Sequence, residues 1–452
     1  MPSPAALRAP VDRLIDDRLG APGASGGRDT PEAKQAIDAL LARPVDTAAA
    51  VRIALATNPR LRAAFDELDL AAADVAAALG IGPVEIDAKL RFGGAHDEVE
   101  VDAIQGLLGL ITAPGRRAAA RAELAAARAS AAAAALRLAA RVEIAFDDLL
   151  AAQGDVELRQ AAFDAAEAAA TLRERMHAAG NASELALARE RDAREQARLE
   201  LDRARATAAA RHDAAGALLG LSGPRTEWTA SGALRDLPAA PPALDALEAS
   251  AAAASLELAA GRERRDAAEH RAGGERLRAV LPELGVGVAV ADDGQGTGIG
   301  PAIRIGIPLF DWRSGERARA GALVRRAGHE LEAEQAELGA QVRAARRAAL
   351  ATYQEARHLR DVILPLRQQI VEETLKHYNA MDADPFALIA ARGGLVDGSH
   401  QYLDALRRHW NAMAEVTALS RGVMLDSMPG AVPAEDARAA TQAGTQAGKE
   451  HP

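Results

Sequence analysis

Between residues 84 and 92, VEIDAKLRF, apolar and ionic side chains alternate without exception. In an extended chain Val84, Ile86, Ala88, Leu90 and Phe92 fall on one side and Glu85, Asp87, Lys89 and Arg91 on the other. The same period of two returns at Val99, Val101 and Ala103 against Glu100 and Asp102. It returns again at Leu284, Val286, Val288 and Val290 against glycine or alanine, and at Ile303, Ile305, Ile307 and Leu309 against Arg304, Gly306 and Pro308. These runs predict four strands in two hairpins, turning through GGAHDE and ADDGQGTG. Nearly everything else carries a helical period. In the first half, helices are predicted at about 47–79, 116–178 and 183–220. Val142, Leu149, Val156 and Phe163 recur every seven residues, as do Val324, Leu331 and Leu338, with Leu359 and Leu366 in the same phase. Such seams suit coiled-coil pairing, and an ordinary helical bundle stays open beside it. Ile363, Leu366 and Ile370 keep their phase across Pro365, which reads as a kink rather than an end.

The pattern runs twice. HAAGNASELAL, from residue 177, aligns with YNAMDADPFAL, from residue 378, and GRRAAARA, from residue 115, aligns with GERARAGA, from residue 315. One offset of about 200 residues for several landmarks implies a duplicated unit of helix, two strands, very long helix, tight break and helix. The predicted division is 1–45 as an arm, 46–226 as repeat 1, 227–242 as a proline-rich linker, 243–424 as repeat 2 and 425–452 as a polar tail. Both terminal segments read as loosely held. A long helix of about 63 residues spans roughly 95 Å, close to the two shorter helices laid end to end. The geometry is a rod with strands at one end and a helical hairpin at the other.

Composition narrows the function. Of 452 residues only 3% are aromatic, and the apolar 49% is largely alanine, which suits closely packed helices better than a thick core. A net charge of −10 gives no footprint for nucleic acid. Without cysteine there is no disulfide, thiolate metal site or catalytic thiol. The opening MPSPAALRAPVDRLIDDRLG has no apolar core of a secretory signal, and no run approaches the ~18 apolar residues of a membrane helix. A β-barrel stays possible, since each strand needs only about 9 to 11 residues. Four strands cannot close a barrel. Either the two hairpins lie on a small domain, or several copies pool strands into one cylinder. In the second case Val84, Ile86, Leu90, Phe92, Ile303, Ile305 and Ile307 face lipid, and Glu85, Asp87, Lys89, Arg91, Glu100, Asp102 and Arg304 face a wet lumen.

Catalytic chemistry finds no foothold. Glu355 and His358 have the Glu-x-x-His spacing of helical di-iron sites, but the motif is single. GQGTGIG, at residues 294–300, lies between strands rather than before a helix, so it reads as a hairpin loop. RRHW, at residues 407–410, reads as an exposed, partly packed helix face. No catalytic residue, metal or cofactor is expected.

Taken in order, LATNPRLRAA, IGIPLFDWRSGERARA, LLGLSG and HYNAM resemble the outer membrane factor family, over roughly residues 46–424. The resemblance implies a mainly α fold with a small β part: a homotrimer whose 12-stranded outer-membrane barrel takes four strands per chain and continues as a periplasmic α-helical barrel. It further implies a passive, non-enzymatic exit duct docked to a periplasmic adaptor and an inner-membrane pump or exporter. The hairpin tips meet the adaptor in such proteins, which here points to Gly180, Asn181, Ser183, Met381, Asp382 and Asp384. Tyr378 is the candidate for a periplasmic constriction; positions after the second tip that are acidic in some members hold Ala387 and Ala390. The competing expectation is a soluble periplasmic coiled-coil adaptor or scaffold without a barrel.

Overall fold

The structure, a computed structural model, describes residues 3–21, 31–80, 84–91, 98–280, 283–292, 296–306 and 314–425. Phe92, Ile307, Phe310, Trp312 and residues 426–452 lie outside the described residues. The elements are α1 (Pro4–Leu19), α2 (Pro31–Leu41), α3 (Thr47–Thr57), α4 (Pro59–Leu79), β1 (Val84–Arg91), β2 (Glu98–Gly106), α5 (Leu108–Ala178) and α6 (Glu184–Leu219). Repeat 2 consists of α7 (Leu247–Ala254), α8 (Leu256–Val280), β3 (Glu283–Asp292), β4 (Thr297–Gly306), α9 (Ser314–His358), α10 (Leu364–Asn379) and α11 (Pro385–Ser420). The chain is mainly helical, with one four-stranded antiparallel sheet in the order β1-β2-β3-β4. β2 pairs with β3, so the sheet joins the two repeats at its centre.

Local chemistry explains the breaks and corrects several expectations. The helix expected over 47–79 is two helices, because the Asn58 carboxamide accepts from the amides of Arg60 and Leu61 while Pro59 takes the first helical position. The long helix begins at Leu108, not near 116, and carries Pro114 inside it. Between α9 and α10 the helix does not stop: a π turn at Leu359–Ile363 absorbs Pro365, whose ring would otherwise strike a carbonyl of the preceding turn. That wider turn rotates α10 relative to α9, so Leu366 is not in the expected seam. It is 52% exposed, on one face with Val362 and Ile370.

α5 is the spine. Its alanines at 119, 120, 126, 131, 132, 135, 139 and 140 are buried, and α4, α6, α8 and α11 pack around it. Short side chains permit close interaxial approach. The N-terminal segment, expected to be loosely held, contributes Val11 and Ile15 of α1 to the main core beside Phe65, Leu136 and Leu149. The linker is clamped too. The Tyr353 hydroxyl donates to the carbonyl of Ala239 at 3.1 Å, Arg360 Nη1 to that of Leu237 at 3.0 Å, and Trp410 Nε1 to that of Arg235 at 2.8 Å.

Candidate functional site: the two-faced sheet and the hairpin tips

The register turns four separate alternations into two continuous faces. Val84 pairs with Gln105, Gln105 with Val286 and Val286 with Ile303, and Ile86 likewise leads through Ala103 and Val288 to Pro301. Paired residues share a face, so Val84, Ile86, Ala88, Leu90, Val99, Val101, Leu284, Val290, Ile299 and Ile305 extend one apolar surface. Most of their large side chains are exposed in the single chain. The other face carries Glu85, Asp87, Lys89, Glu100, Asp102 and Arg304 among Gly285, Gly287, Ala289 and Gly300. Arg91 lies at the end of β1 in the same alternation.

The charged face is the concave one. β1 and β4 are opposite edges, about 14 Å apart in a flat sheet of strands spaced ~4.8 Å. Yet Arg304 of β4 reaches Glu85 of β1 at 2.9 Å and also pairs with Asp87, with Glu283 at 3.6 Å. Lys89 bridges Asp102 at 3.1 Å and Glu100 at 3.5 Å. Asp102 is 6% exposed beneath that bridge, the most buried of the charged residues on this face. Glycine makes the curvature possible: a Cβ on Gly287 would fall 2.0 Å from the Ala103 carbonyl oxygen. Among the described residues β1 and β4 have no outer partner, so both strand edges are open.

At the far end the two tips close by one backbone pattern. The amide of Asn181 donates to the carbonyl of Met176 at 2.8 Å and that of Asp382 to His377 at 2.9 Å, the return bond of a helix ending in a left-handed residue. That residue is Gly180 (φ 78°) in tip 1 and Met381 (φ 61°) in tip 2. Met381 is 95% exposed and is the one non-glycine residue with positive φ among those described. Ser183 and Asp384 cap the return helices through Ala186 and Ala387. Each tip is braced by a histidine: His177 meets the Ala182 carbonyl at 2.9 Å and Glu184 at 3.1 Å, and His377 meets Asp382 at 2.8 Å. Tyr378 is half-exposed in the last turn before tip 2.

Two features escaped the sequence. The Arg173 guanidinium of α5 lies 3.4 Å from the ring centre of Phe386 in α11, tying the first hairpin to the start of the second. Midway along the rod, Asp148 accepts from Arg407 at 3.0 Å and Asn411 at 2.9 Å and pairs with Arg211 at 3.2 Å; its neighbour Asp147 meets Arg235 at 2.9 Å. Burial pushes the Asp147 carboxyl above its ordinary range, with Arg235 opposing. Residues 407–410, read as an exposed, partly packed face, are more packed than exposed: Arg407 points into this seam and His409 is fully buried beside Tyr353. No spacing rule pairs residues some 260 positions apart. Glu355, for its part, is held by both Nη atoms of Arg408, and no metal-binding group of three or more His, Asp or Glu exists among the described residues.

No helix among the described residues is long and apolar enough to cross a membrane. No protein-family model and no curated protein sequence matches the chain. Solved structures do. The outer membrane protein VceC of Vibrio cholerae superposes with a TM-score of 0.67 at 17% identity, over 84% of this chain and 97% of that one. The CmeC outer membrane channel of Campylobacter jejuni gives 0.66 at 14%, over 86% and 88%. The MtrE outer membrane channel of Neisseria gonorrhoeae, in its open state, gives 0.59 at 18%, over 84% and 90%. At such identities the shared property is the architecture, and it extends over nearly the whole of each partner. The protein therefore has the fold of TolC-like outer membrane channels.

Proposed function

We propose that the protein is the outer-membrane channel of a tripartite efflux or secretion system. Three copies pool their sheets into a 12-stranded barrel, and the rods continue it into the periplasm as a helical duct. The observation that carries this reading is the sheet itself: one largely apolar face, interrupted at Gln105 and at the Asp292–Thr297 end, one concave ionic face and two open edges. A lone sheet of this kind exposes a greasy surface and unpaired backbone groups to water, whereas a closed ring gives every edge a partner, the apolar face lipid and the ionic face a wet lumen. Val84, Ile86, Leu90, Phe92, Ile303, Ile305 and Ile307 then contact lipid, and Glu85, Asp87, Lys89, Arg91, Glu100, Asp102 and Arg304 line the pore. The tips, with Gly180, Asn181, Ser183, Met381, Asp382 and Asp384, dock on a periplasmic adaptor joined to an inner-membrane pump, and Tyr378 narrows that end. Detergent-extracted trimers that conduct ions in a planar bilayer are the expected result. A monodisperse, water-soluble monomer without conductance would sink the reading.

A further inference from the structure

Just beneath the sheet α4 packs on α5, α5 on α8 and α8 on α9, so these helices stand side by side in a wall. Over α8, flanked by α5 and α9, lies a groove of about 560 Å³ lined by Arg116, Arg264, Arg271, Arg278, Arg319 and Arg326. Part of this charge is answered within the protein. Arg271 pairs with Glu123, Arg278 with Glu275 at 2.8 Å and Arg326 with Glu330 at 2.7 Å, while Arg264 reaches Glu334 at 3.7 Å and Ser130 at 3.0 Å. Arg319 makes no ion pair among the described residues. Arg116 Nη2 donates to the Gly109 carbonyl at 3.0 Å, but its Nε is buried without an acceptor. Glu123, Glu275, Glu316 and Glu330 line the same groove, so six guanidinium groups against four carboxylates leave an excess of two positive charges, which favours an oxyanion of several acceptors.

We propose that this groove binds a phosphate group, supplied by the headgroup of an anionic phospholipid. Guanidinium forks match phosphate oxygens in pairs, which ammonium groups do not, and the volume falls within the usual range for small-ligand sites. Depth selects the source. Arg116 is eight residues into α5, which is separated from β2 by one residue, so it lies within roughly 12 to 15 Å of the sheet end at 1.5 Å per residue, and Arg319 lines the same groove. If the sheet spans a membrane, which is the reading proposed above, that depth falls at and just beyond the headgroup layer, roughly 5 to 8 Å thick on each side. Basic pockets at that level bind anionic lipid headgroups. The phosphate chemistry itself does not depend on that reading.

The test uses the full-length, detergent-purified protein with two probes: phosphatidylglycerol against phosphatidylethanolamine by native mass spectrometry, and sodium phosphate against sodium chloride by thermal shift. Arg116→Gln with Arg319→Gln should weaken phosphatidylglycerol binding by about ten-fold, while Arg262→Gln with Arg276→Gln, outside the groove on α8, leaves it unchanged. Arg116→Lys with Arg319→Lys keeps the charge and should retain only part of the binding. If inorganic phosphate alone is lost in the glutamine pair, with no lipid preference, the site stands and its ligand is a free phosphate, whether or not the sheet enters a membrane. Equal binding by wild type and the glutamine pair, when both give the same circular dichroism, or an equal loss in the Arg262 and Arg276 control, overturns the proposal.

Discussion

Arg18 of the first helix donates through Nη1 to the carbonyl of Ala254 at 2.7 Å, and through the same atom to the carbonyl of Arg421. In repeat 1 the residue matching Ala254 is Thr57, whose hydroxyl donates to the carbonyl of Leu219, the match of Arg421. The equivalence extends further: Asn58 and Ser255 each accept from an amide three residues on, and Gly220 and Gly422 both come next with positive φ. Repeat 2 has alanine there, without a hydroxyl, and the N-terminal helix supplies a donor from outside. Arg18→Met should therefore destabilise the protein by roughly 1–3 kcal/mol, and Ala254→Thr in that background should recover part of the loss. Thermal unfolding followed by circular dichroism decides; an unchanged midpoint for Arg18→Met would remove the argument.

The adjacent carboxylates of α5 should respond in opposite ways. Asp148 is buried and held by three donors, so Asp148→Ala leaves the Asn411 Nδ2 without its acceptor and Arg407 with Asp404 alone, at a cost of about 1–3 kcal/mol. Asp147 is buried too, at 3% side-chain exposure, but its partner Arg235 is 58% exposed and can return to water.

The raised carboxyl of Asp147 carries a sign. A group that binds its proton more tightly when folded contributes stability that is full below its ordinary value of 3.8 and lost as pH rises through the folded value. Asp147→Asn removes that loss, so its melting temperature relative to wild type should be higher at pH 7 than at pH 4. A difference that shrinks with rising pH would show that Arg235 outweighs burial.

Tip 2 holds a strained methionine where tip 1 holds glycine. Met381→Gly should relieve on the order of 1 kcal/mol of left-handed backbone strain. It should slow amide exchange around residues 378–386 and, on the proposed function, weaken capture of the adaptor. Faster exchange in the variant would mean that the side chain, although 95% exposed, stabilises the turn.

Phe386→Ala removes the ring beneath Arg173. A cation–π contact of this kind contributes about 0.5–1 kcal/mol, so hydrogen exchange in α10 and early α11 should rise several-fold while α9 above the π turn is unchanged. Uniform acceleration along both helices would show that the two hairpins are not coupled at this point.

The barrel assignment is tested by placing one charge on either face. Ile86→Arg on the apolar face should cost about 2–4 kcal/mol in a bilayer and reduce membrane-inserted trimers, whereas Asp87→Gln should leave assembly intact and shift ion selectivity. Aqueous accessibility of a spin label at Ile305 in the native assembly would contradict the assignment.

Periodicity and turn chemistry made the strands, both tips and the duplication readable, because each depends on neighbours within a few residues. The break at Asn58 was missed although asparagine before proline signals a helix start, because the apolar period running through it concealed the signal. The phase of Leu366 was not readable, since a π turn adds a residue per turn without a sequence mark of its own. Nor were Arg18, Arg173 with Phe386, or the seam at Asp148. Each joins positions hundreds of residues apart or lies between hairpins, where only packing brings the side chains together.

The open margins at β1 and β4 bear on how the molecule is made. A solitary copy crossing an aqueous compartment carries two raw borders able to accept any extended peptide, and nothing among its described residues covers them. On the proposed function, sibling copies must pair with these borders before stray strands do, so the yield of closed barrels should rise with the local abundance of the chain.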